Sequence, residues 1–175
     1  MVVLKQTKVL ARMSNIHSDQ WVAERSDPFN LGRFLAAQQG VYASVLAQLG
    51  AGQKRTHWMW FIFPQVAGLG TSETTRYYAI KSPAEASAYL EHPILGARLL
   101  ECTGLVNEIR DRSARQIFGI PDDMKFRSSM TLFEYVAGQG TAFSVALDTY
   151  FGGERDTATI ALVGSATKLE GIVKR

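Results

Sequence analysis

The chain has 175 residues, of which 46% are hydrophobic, and a formal net charge of +3. This apolar content supports a folded core, so the composition excludes a wholly disordered chain and fits one domain. The basic residues are scattered and form no long run of like charges, which argues against nucleic acid as the main partner. The single Cys102 excludes an internal disulfide and a multi-cysteine zinc site.

The ends of the chain and its apolar runs predict a cytoplasmic protein. The N-terminus has no apolar segment followed by a small-residue cleavage site. The longest apolar run, WMWFIF, is far shorter than a membrane span, so we expect no membrane association. We expect residues 1–25 to be a loosely ordered extension, residues 26–163 to be a single helical domain, and residues 164–175 to be a C-terminal tail.

The first predicted helix starts at Asp27-Pro28, with an N-cap residue followed by a proline at the first helical position. Apolar residues continue at helical spacing to Leu49, and Gly50 ends the helix. Gln38 is the one polar member of this apolar stripe. A buried glutamine needs partners for its amide, so we expect it either to bond a neighbouring loop or to line a polar pocket.

The segment KRTHWMWFIFPQ, residues 54–65, places a basic and polar entry directly before an aromatic run. The run is too short for periodicity to decide between a helix and a buried strand. A helix here would present free N–H groups beside Lys54 and Arg55, which favours an anion. His57 would add a titratable group and Trp58 a stacking face. The alternative is that the aromatic side chains fill the core, which we expect for most of them.

The second half of the chain carries helix start signals at short intervals, whereas hardly any segment alternates with a period of two residues. We therefore predict an all-α fold, an irregular single-domain bundle of about seven helices, the last of which ends at Val163. The predicted starts in this half are Ser82, Pro93, Ser113, Pro121, Thr141 and Asp156.

The helix predicted from Pro121 to Gly138 carries polar side chains on its apolar side. Ser129 lies on the core stripe, and Lys125 and Ser128 lie beside it. Such hydroxyls either bond to carbonyls of their own helix or leave room for a ligand.

No standard catalytic or cofactor motif is present: the chain lacks GxGxxG, a Walker-type loop, GxSxG and HExxH. His57 and His92 do not have metal-ligand spacing. We therefore predict no metal and no cofactor, and the catalytic residues, if any, remain unknown.

Four segments carry a resemblance to a known family: DPFNLGRFLAAQ, GQKRTHWMWFIFPQVAGLGTSETTRYYAI, SPAEASAYLEHPILGARLLECT and IFGIPDDMKFRSSMTLF. Together they resemble the uncharacterised bacterial family called domain of unknown function 1810, some members of which carry the label "calpastatin", from about Asp27 to Val163. The resemblance implies a mostly helical fold and no established activity. A looser likeness, through helical make-up and the lysine of Lys125-Phe126, is to NADAR-type domains of NAD and ADP-ribose metabolism, some of which cleave N-glycosidic bonds.

Three functions fit these observations. The first is binding, with hydrolysis left open, of a phosphorylated or nucleotide- or ADP-ribose-like small molecule, because cations suit phosphate, an aromatic face suits a base and an amide suits its edge. The second is a non-enzymatic protein-interaction domain in which the same residues form a structural polar network. The third is weak nucleic-acid binding. The candidate ligand-binding residues are Gln38, Lys54, Arg55, His57, Trp58, Lys125, Ser128 and Ser129.

Overall fold

The structure is a computed structural model that describes residues 27–173, with side chains described through residue 167. Across this range the only β pairing is one isolated parallel bridge between Val66 and Ile80. The all-α prediction is therefore confirmed. The described part of the chain forms ten helices, seven of them with seven or more residues: α1 Gly32–Gln38, α2 Tyr42–Gly50, α3 Met59–Ile62, α4 Glu73–Tyr78, α5 Pro83–Glu91, α6 Leu95–Glu108, α7 Ala114–Phe118, α8 Asp122–Ala137, α9 Ala142–Phe151 and α10 Thr157–Val173.

Helix α8 is the central element of the bundle, and α3, α5, α7, α9 and α10 all pack against it. Its predicted core residues Phe126, Met130 and Phe133 are fully buried. Phe126 meets Phe63 edge-to-face at 5.0 Å between ring centroids and stacks on Phe118 at 4.6 Å. These aromatic contacts join the segment that follows α3 and the end of α7 to the first half of α8, where the candidate site lies.

The first predicted helix differs from the structure at its start and in its middle. Residues 27–30 form a turn, and α1 begins at Gly32. Asn30 has a φ of 52°, which is incompatible with a helix that continues from Pro28. Gly40, with a φ of 77°, then separates α1 from α2. The break places Gln38 at the C-terminal end of α1, where it faces the aromatic segment.

Several predicted helix caps are confirmed. The Ser82 hydroxyl accepts a hydrogen bond from the Glu85 backbone N–H at 3.1 Å. Ser113 forms a capping box at the start of α7. Asp156 accepts from the Thr159 backbone N–H at 2.8 Å and caps α10.

Only one of the two predicted end segments overlaps the described residues. Helix α10 continues to Val173, beyond the predicted end at Val163, so the predicted tail 164–175 begins inside a helix. The predicted extension 1–25 lies outside the described residues. Within the described range, no helix is long and apolar enough to cross a bilayer.

A buried ion pair fixes α1 against α5. The guanidinium of Arg33 donates to Glu85 at 2.5 Å and also to the backbone carbonyls of Tyr77 at 3.0 Å and Ala79 at 3.1 Å. Each charge therefore has hydrogen-bond partners, as a buried ion pair requires. The contact holds α1, and with it Gln38, in a fixed position beside α3.

Candidate functional site

Gln38 is buried, with 1% of its surface exposed, and all of its amide atoms have partners. Its amide nitrogen donates to the Phe61 carbonyl at 2.8 Å and to the Tyr89 hydroxyl at 3.2 Å. Its amide oxygen accepts from Arg98 at 3.1 Å. The predicted burial and hydrogen bonding of Gln38 are confirmed. The amide holds α1, α3, α5 and α6 together, and both of its polar atoms bond to the protein itself.

Gln48, which sequence reasoning missed, organises the loop that leads into the aromatic segment. Its side-chain oxygen accepts from the backbone N–H groups of Arg55 at 2.7 Å and Thr56 at 3.1 Å, and from the Trp58 indole N–H at 3.0 Å. Its side-chain nitrogen donates to the hydroxyls of Ser44 at 3.1 Å and Thr56 at 2.9 Å. We call these residues the Gln48 network.

Trp58 belongs to the core, because only 2% of its surface is exposed and its N–H is already bonded to Gln48. The predicted role of Trp58 as an open stacking face is therefore not compatible with its position. The element it leads into, α3, is a single turn of four residues. This short helix corrects the expectation of an anion-binding helix end at Lys54 and Arg55.

Arg55 and His57 lie on the exposed side of the same loop. The Arg55 guanidinium reaches the side chain of Gln53 at 3.5 Å. Among the described residues, His57 makes no hydrogen bond or ion pair. The side chains of Arg55 and His57 are thus not part of the buried networks.

Lys54 and Lys125, which are far apart in the sequence, meet on the carboxylate of Asp122. The Lys54 Nζ lies 2.7 Å from Oδ2 of Asp122, and the Lys125 Nζ lies 2.7 Å from Oδ1. The side chains are 8% exposed for Lys54, 21% for Lys125 and 16% for Asp122. A bond of 2.7 Å from the Lys54 backbone N–H to the Ile117 carbonyl holds the loop beside the first turn of α8. We call Lys54, Asp122 and Lys125 the lysine cluster.

Trp60 borders the lysine cluster. The Lys125 ammonium lies 4.7 Å from the centroid of its indole, a cation–π distance. Its Nε1 is buried and has no hydrogen-bond partner among the described residues. Trp60 itself is half-buried. An N–H donor without a partner costs free energy unless something outside the described chain satisfies it.

The two predicted serines of α8 have different environments. Ser128 donates to the Met124 carbonyl at 3.1 Å, a bond within its own helix. Ser129 is fully buried, and its hydroxyl has no partner in the described part of the chain. Ser129 lies one helical turn after Lys125 on the same face of α8. The side of α8 that carries the lysine cluster therefore also carries an unpaired hydroxyl.

The charges of the cluster keep Asp122 ionised. Burial alone would raise the pKa of Asp122, but hydrogen bonds from Lys125 and Lys54, with the charges of both lysines, hold that pKa below its usual range. Each ammonium group has three N–H donors, and the carboxylate accepts one from each. Two positive charges face one negative charge. The two ammonium groups keep N–H donors that the carboxylate does not use, and the net charge of the cluster is positive.

A surface cavity of about 570 Å³ lies elsewhere, between the C-terminal ends of α2 and α6. None of the eight predicted site residues lines it. Backbone and charged side chains of both signs surround it, including Glu108, Arg110 and Asp111. Residue chemistry and cavity volume therefore point to different places, and we follow the chemistry because the unpaired donors Trp60 Nε1 and Ser129 Oγ belong to α3 and α8.

Metal binding has no support in the described range, since it contains no group of three or more His, Cys, Asp or Glu side chains close enough to hold an ion. Cys102 is buried on α6, and burial raises the pKa of its thiol to about 12. A thiol with this pKa stays protonated at neutral pH and is a poor nucleophile.

Comparison with known families identifies the chain's relatives. The family model described as "Protein of unknown function (DUF1810)" matches residues 28–163. The chain belongs to the DUF1810 family. This match confirms the resemblance seen in the four sequence segments and covers the whole lysine cluster. No curated protein matches the chain.

One solved structure is similar to this DUF1810 chain. It is the crystal structure of the conserved hypothetical protein Rv1873 from Mycobacterium tuberculosis, with 53% sequence identity and a TM-score of 0.77. The alignment covers 79% of this chain and 99% of that one. The neighbour's description gives no activity, so function must be argued from the site. The likeness to NADAR-type domains stays a prediction.

Proposed function

We propose that this DUF1810 domain binds a small phosphorylated molecule, with the phosphate held by Lys54 and Lys125 and the rest of the ligand beside Trp60. One observation carries the proposal. Two lysines from distant parts of the chain share a single carboxylate, each at 2.7 Å, next to an indole whose N–H has no partner.

The class of ligand follows from the spare hydrogen-bonding capacity. The groups available to a ligand are the ammonium N–H donors; the Trp60 N–H and the Ser129 hydroxyl are also unpaired, but both atoms are buried. A phosphate group provides several acceptor oxygens and a negative charge, so it complements both the donors and the net positive charge of the cluster. A cationic ligand would be repelled by this charge, and a neutral ligand would leave it uncompensated.

Within this class, a nucleotide-like or ADP-ribose-like compound fits best. Trp60 is half-buried and provides an aromatic surface directly beside Lys125, at 4.7 Å from the ammonium to the ring centroid. A base or ribose next to the phosphate could pack on that surface. Arg55, which is exposed on the adjoining loop, supplies further positive charge for a second phosphate, and the exposed His57 beside it supplies a ring N–H donor. The proposal concerns binding, because Asp122 stays ionised at neutral pH and is no proton donor there.

The second candidate is a protein-interaction domain without a small-molecule site. It is favoured by the Gln38 amide and the Gln48 network, in which the polar atoms pair with one another and hold the fold. The start of α8 also exposes apolar surface, with Ile120 71% and Met124 45% exposed. A protein partner could cover these two side chains, whereas a phosphorylated ligand would not need them.

A thermal-shift panel of nucleotides, NAD derivatives and sugar phosphates at millimolar concentration tests the first proposal. A ligand at about one hundred times its dissociation constant stabilises the native state by about 2.7 kcal/mol. For a domain of this size that raises the melting temperature by roughly 5–10 °C. Lys125→Met should remove most of the increase, whereas Lys81→Met, which removes an exposed lysine that does not belong to the lysine cluster, should keep it.

The panel also decides between the two candidates. If no compound moves the melting temperature by more than about 1 °C, the small-molecule proposal fails and the interaction domain becomes the better account. An increase that is equally large in Lys125→Met would place the ligand away from the lysine cluster, and it would also contradict the proposal.

A further inference from the structure

We propose that Asp122 is a built-in competitor for the ligand: its carboxylate binds the two lysines, and only an anion with more charge and more acceptor oxygens than a carboxylate displaces it. This inference rests on the proposed function and adds a residue that sets affinity and selectivity. It assigns Asp122 the role of rejecting carboxylate ligands and admitting phosphate.

Asp122 can compete with a ligand because it already binds both lysines. Its two oxygens each take one ammonium at 2.7 Å, so it bridges Lys54 and Lys125 as a ligand's carboxylate would. Because Asp122 is tethered to the chain, its effective concentration at the lysines is in the millimolar range or higher. A free carboxylate offers the lysines the same chemistry without this advantage, and it should fail to compete.

Phosphate differs from a carboxylate in both charge and acceptor number. A phosphate monoester carries about −1.5 to −2 charge at pH 7 and has three strong acceptor oxygens. It can therefore bond both ammonium groups and still has an acceptor oxygen for a further donor. With Asp122 still on the lysines, however, two negative groups would share two cations, so the carboxylate opposes binding.

The displaced carboxylate would still have a favourable location. Asp122 is the first residue of α8, a helix of 16 residues, and the N-terminal end of a helix favours negative charge. Its side chain is already 16% exposed, so a rotation toward solvent requires no burial of charge elsewhere. The cost of displacement is therefore the loss of the two lysine contacts, which the phosphate replaces.

The inference is distinct from a purely structural role of Asp122. If Asp122 only held the lysines in place, its removal would let them swing into solvent and phosphate would bind more weakly. If Asp122 competes with the ligand, its removal frees both lysines and phosphate binds more tightly. The two roles thus predict opposite signs for the same substitution.

The test compares the binding of inorganic phosphate and of acetate to the full chain by isothermal titration calorimetry. Asp122→Asn keeps the shape of the side chain and removes its charge, and we expect it to tighten phosphate binding by about tenfold or more. We also expect acetate to bind to Asp122→Asn and to give no measurable heat with the unmodified chain. Asp111→Asn is the matched control, because it removes an exposed carboxylate away from the cluster and should change phosphate affinity less than twofold.

The outcomes separate this inference from the proposed function. Phosphate binding that is unchanged or weaker in Asp122→Asn, or acetate that binds the unmodified chain as well as phosphate does, overturns the inference and leaves the proposed function standing. If neither chain binds any phosphate compound, the proposed function itself fails.

A measurement on the unmodified chain covers the case in which Asp122→Asn does not fold. Carboxyl carbon NMR follows the titration of Asp122 with and without saturating phosphate. We expect the pKa of Asp122, which the lysines hold below its usual range, to rise when phosphate takes the lysines. A pKa that does not move while phosphate is bound would contradict the competition.

Discussion

The Gln48 network and the lysine cluster lie on either side of the same loop, but they differ in whether their hydrogen-bond donors are matched by acceptors. The Gln48 oxygen accepts three N–H donors and its nitrogen donates to two hydroxyls, so the amide is fully used. In the lysine cluster, one carboxylate faces two ammonium groups and leaves donors over. A network in which every donor has an acceptor stabilises a fold, whereas a network with surplus donors can bind a further acceptor.

This difference separates the predicted site residues into two groups. Gln38 and Trp58 are fully paired and belong to the structural group. Lys54 and Lys125 belong to the group with surplus donors, together with Asp122. Substitutions should therefore affect stability in the first group and ligand binding in the second, and the following predictions run from the largest effect on stability to the smallest.

Gln48→Ala should cause the largest loss of stability. It leaves the buried Trp58 N–H and two loop N–H groups without their acceptor, and each unpaired buried donor costs about 1–3 kcal/mol. Because the two loop groups can reach water, we expect a total of about 3 kcal/mol, or a melting temperature lower by roughly 6–12 °C. Thermal denaturation measures the loss.

Gln53→Ala is the control for this change, because Gln53 is an exposed glutamine of the same loop. Its melting temperature should stay within about 2 °C of the unmodified chain. Equal losses in the two variants would mean that the Gln48 network does not hold the loop.

Arg155→Met should cause the second-largest loss. Arg155 binds both oxygens of Glu134, at 2.8 Å from Nε and 2.5 Å from Nη2, near the C-terminal end of α8. The side chain of Glu134 is 9% exposed and that of Arg155 is 27% exposed, so the pair is intermediate between an exposed and a buried ion pair. We expect a loss of about 2 kcal/mol, measured by chemical denaturation, with no change in a ligand-induced thermal shift.

The pH dependence of the Arg155→Met effect tests its cause. The hydrogen bond from Arg155 lowers the pKa of Glu134, against the effect of burial. A carboxyl with a lowered pKa contributes stability that is present above its unfolded pKa, near 4.3, and is lost as the pH falls through the folded pKa. The difference in the free energy of unfolding between the unmodified chain and Arg155→Met should therefore be largest at pH 7 and should decrease below about pH 4. A difference that is constant with pH would rule out the ion pair as its origin.

Lys54→Met and Lys125→Met should leave stability within about 1 kcal/mol of the unmodified chain, because Asp122 keeps the other lysine in each case. Both should nevertheless remove most of the 5–10 °C increase that a phosphorylated ligand produces. If either variant loses much stability but keeps the ligand-induced increase in melting temperature, the lysine cluster has a structural role like that of the Gln48 network.

His57→Ala should have the smallest effect. His57 is exposed and, among the described residues, has no polar partner, so its removal should change stability by less than about 0.5 kcal/mol. The ligand-induced increase in melting temperature should fall by less than half, because the lysine cluster is unchanged. Complete loss of the increase would show that His57 contacts the ligand directly.

Local signals in the sequence predicted much of the fold. The caps at Ser82, Ser113 and Asp156 are formed by side chains three residues from their partners, so spacing alone reveals them. The sequence does not predict the break at Gly40, because a glycine can adopt many backbone conformations and its presence does not show which one. The sequence predicts the end of the last helix at Val163, where Gly164 and a polar tail follow, but α10 continues through Gly164 to Val173.

The site was predicted only in part, for a physical reason. Lys54 and Lys125 stood out as cations at the edge of apolar segments, and they do meet. Asp122 lies in the first turn of α8, where an acid is expected for any helix, so the sequence carries no separate signal for its role between two lysines. Gln48 lies next to the apolar Leu49, and its partners become visible only once the loop folds back.

The most direct test of the central claim is phosphorus NMR of a phosphate ligand titrated with the chain. We predict a saturable change in the chemical shift or linewidth of the phosphorus signal. The change should be lost in the double variant Lys54→Met/Lys125→Met and kept in Lys81→Met. A phosphorus signal that responds equally to all three chains, or to none of them, would contradict the assignment of the lysine cluster as a phosphate site.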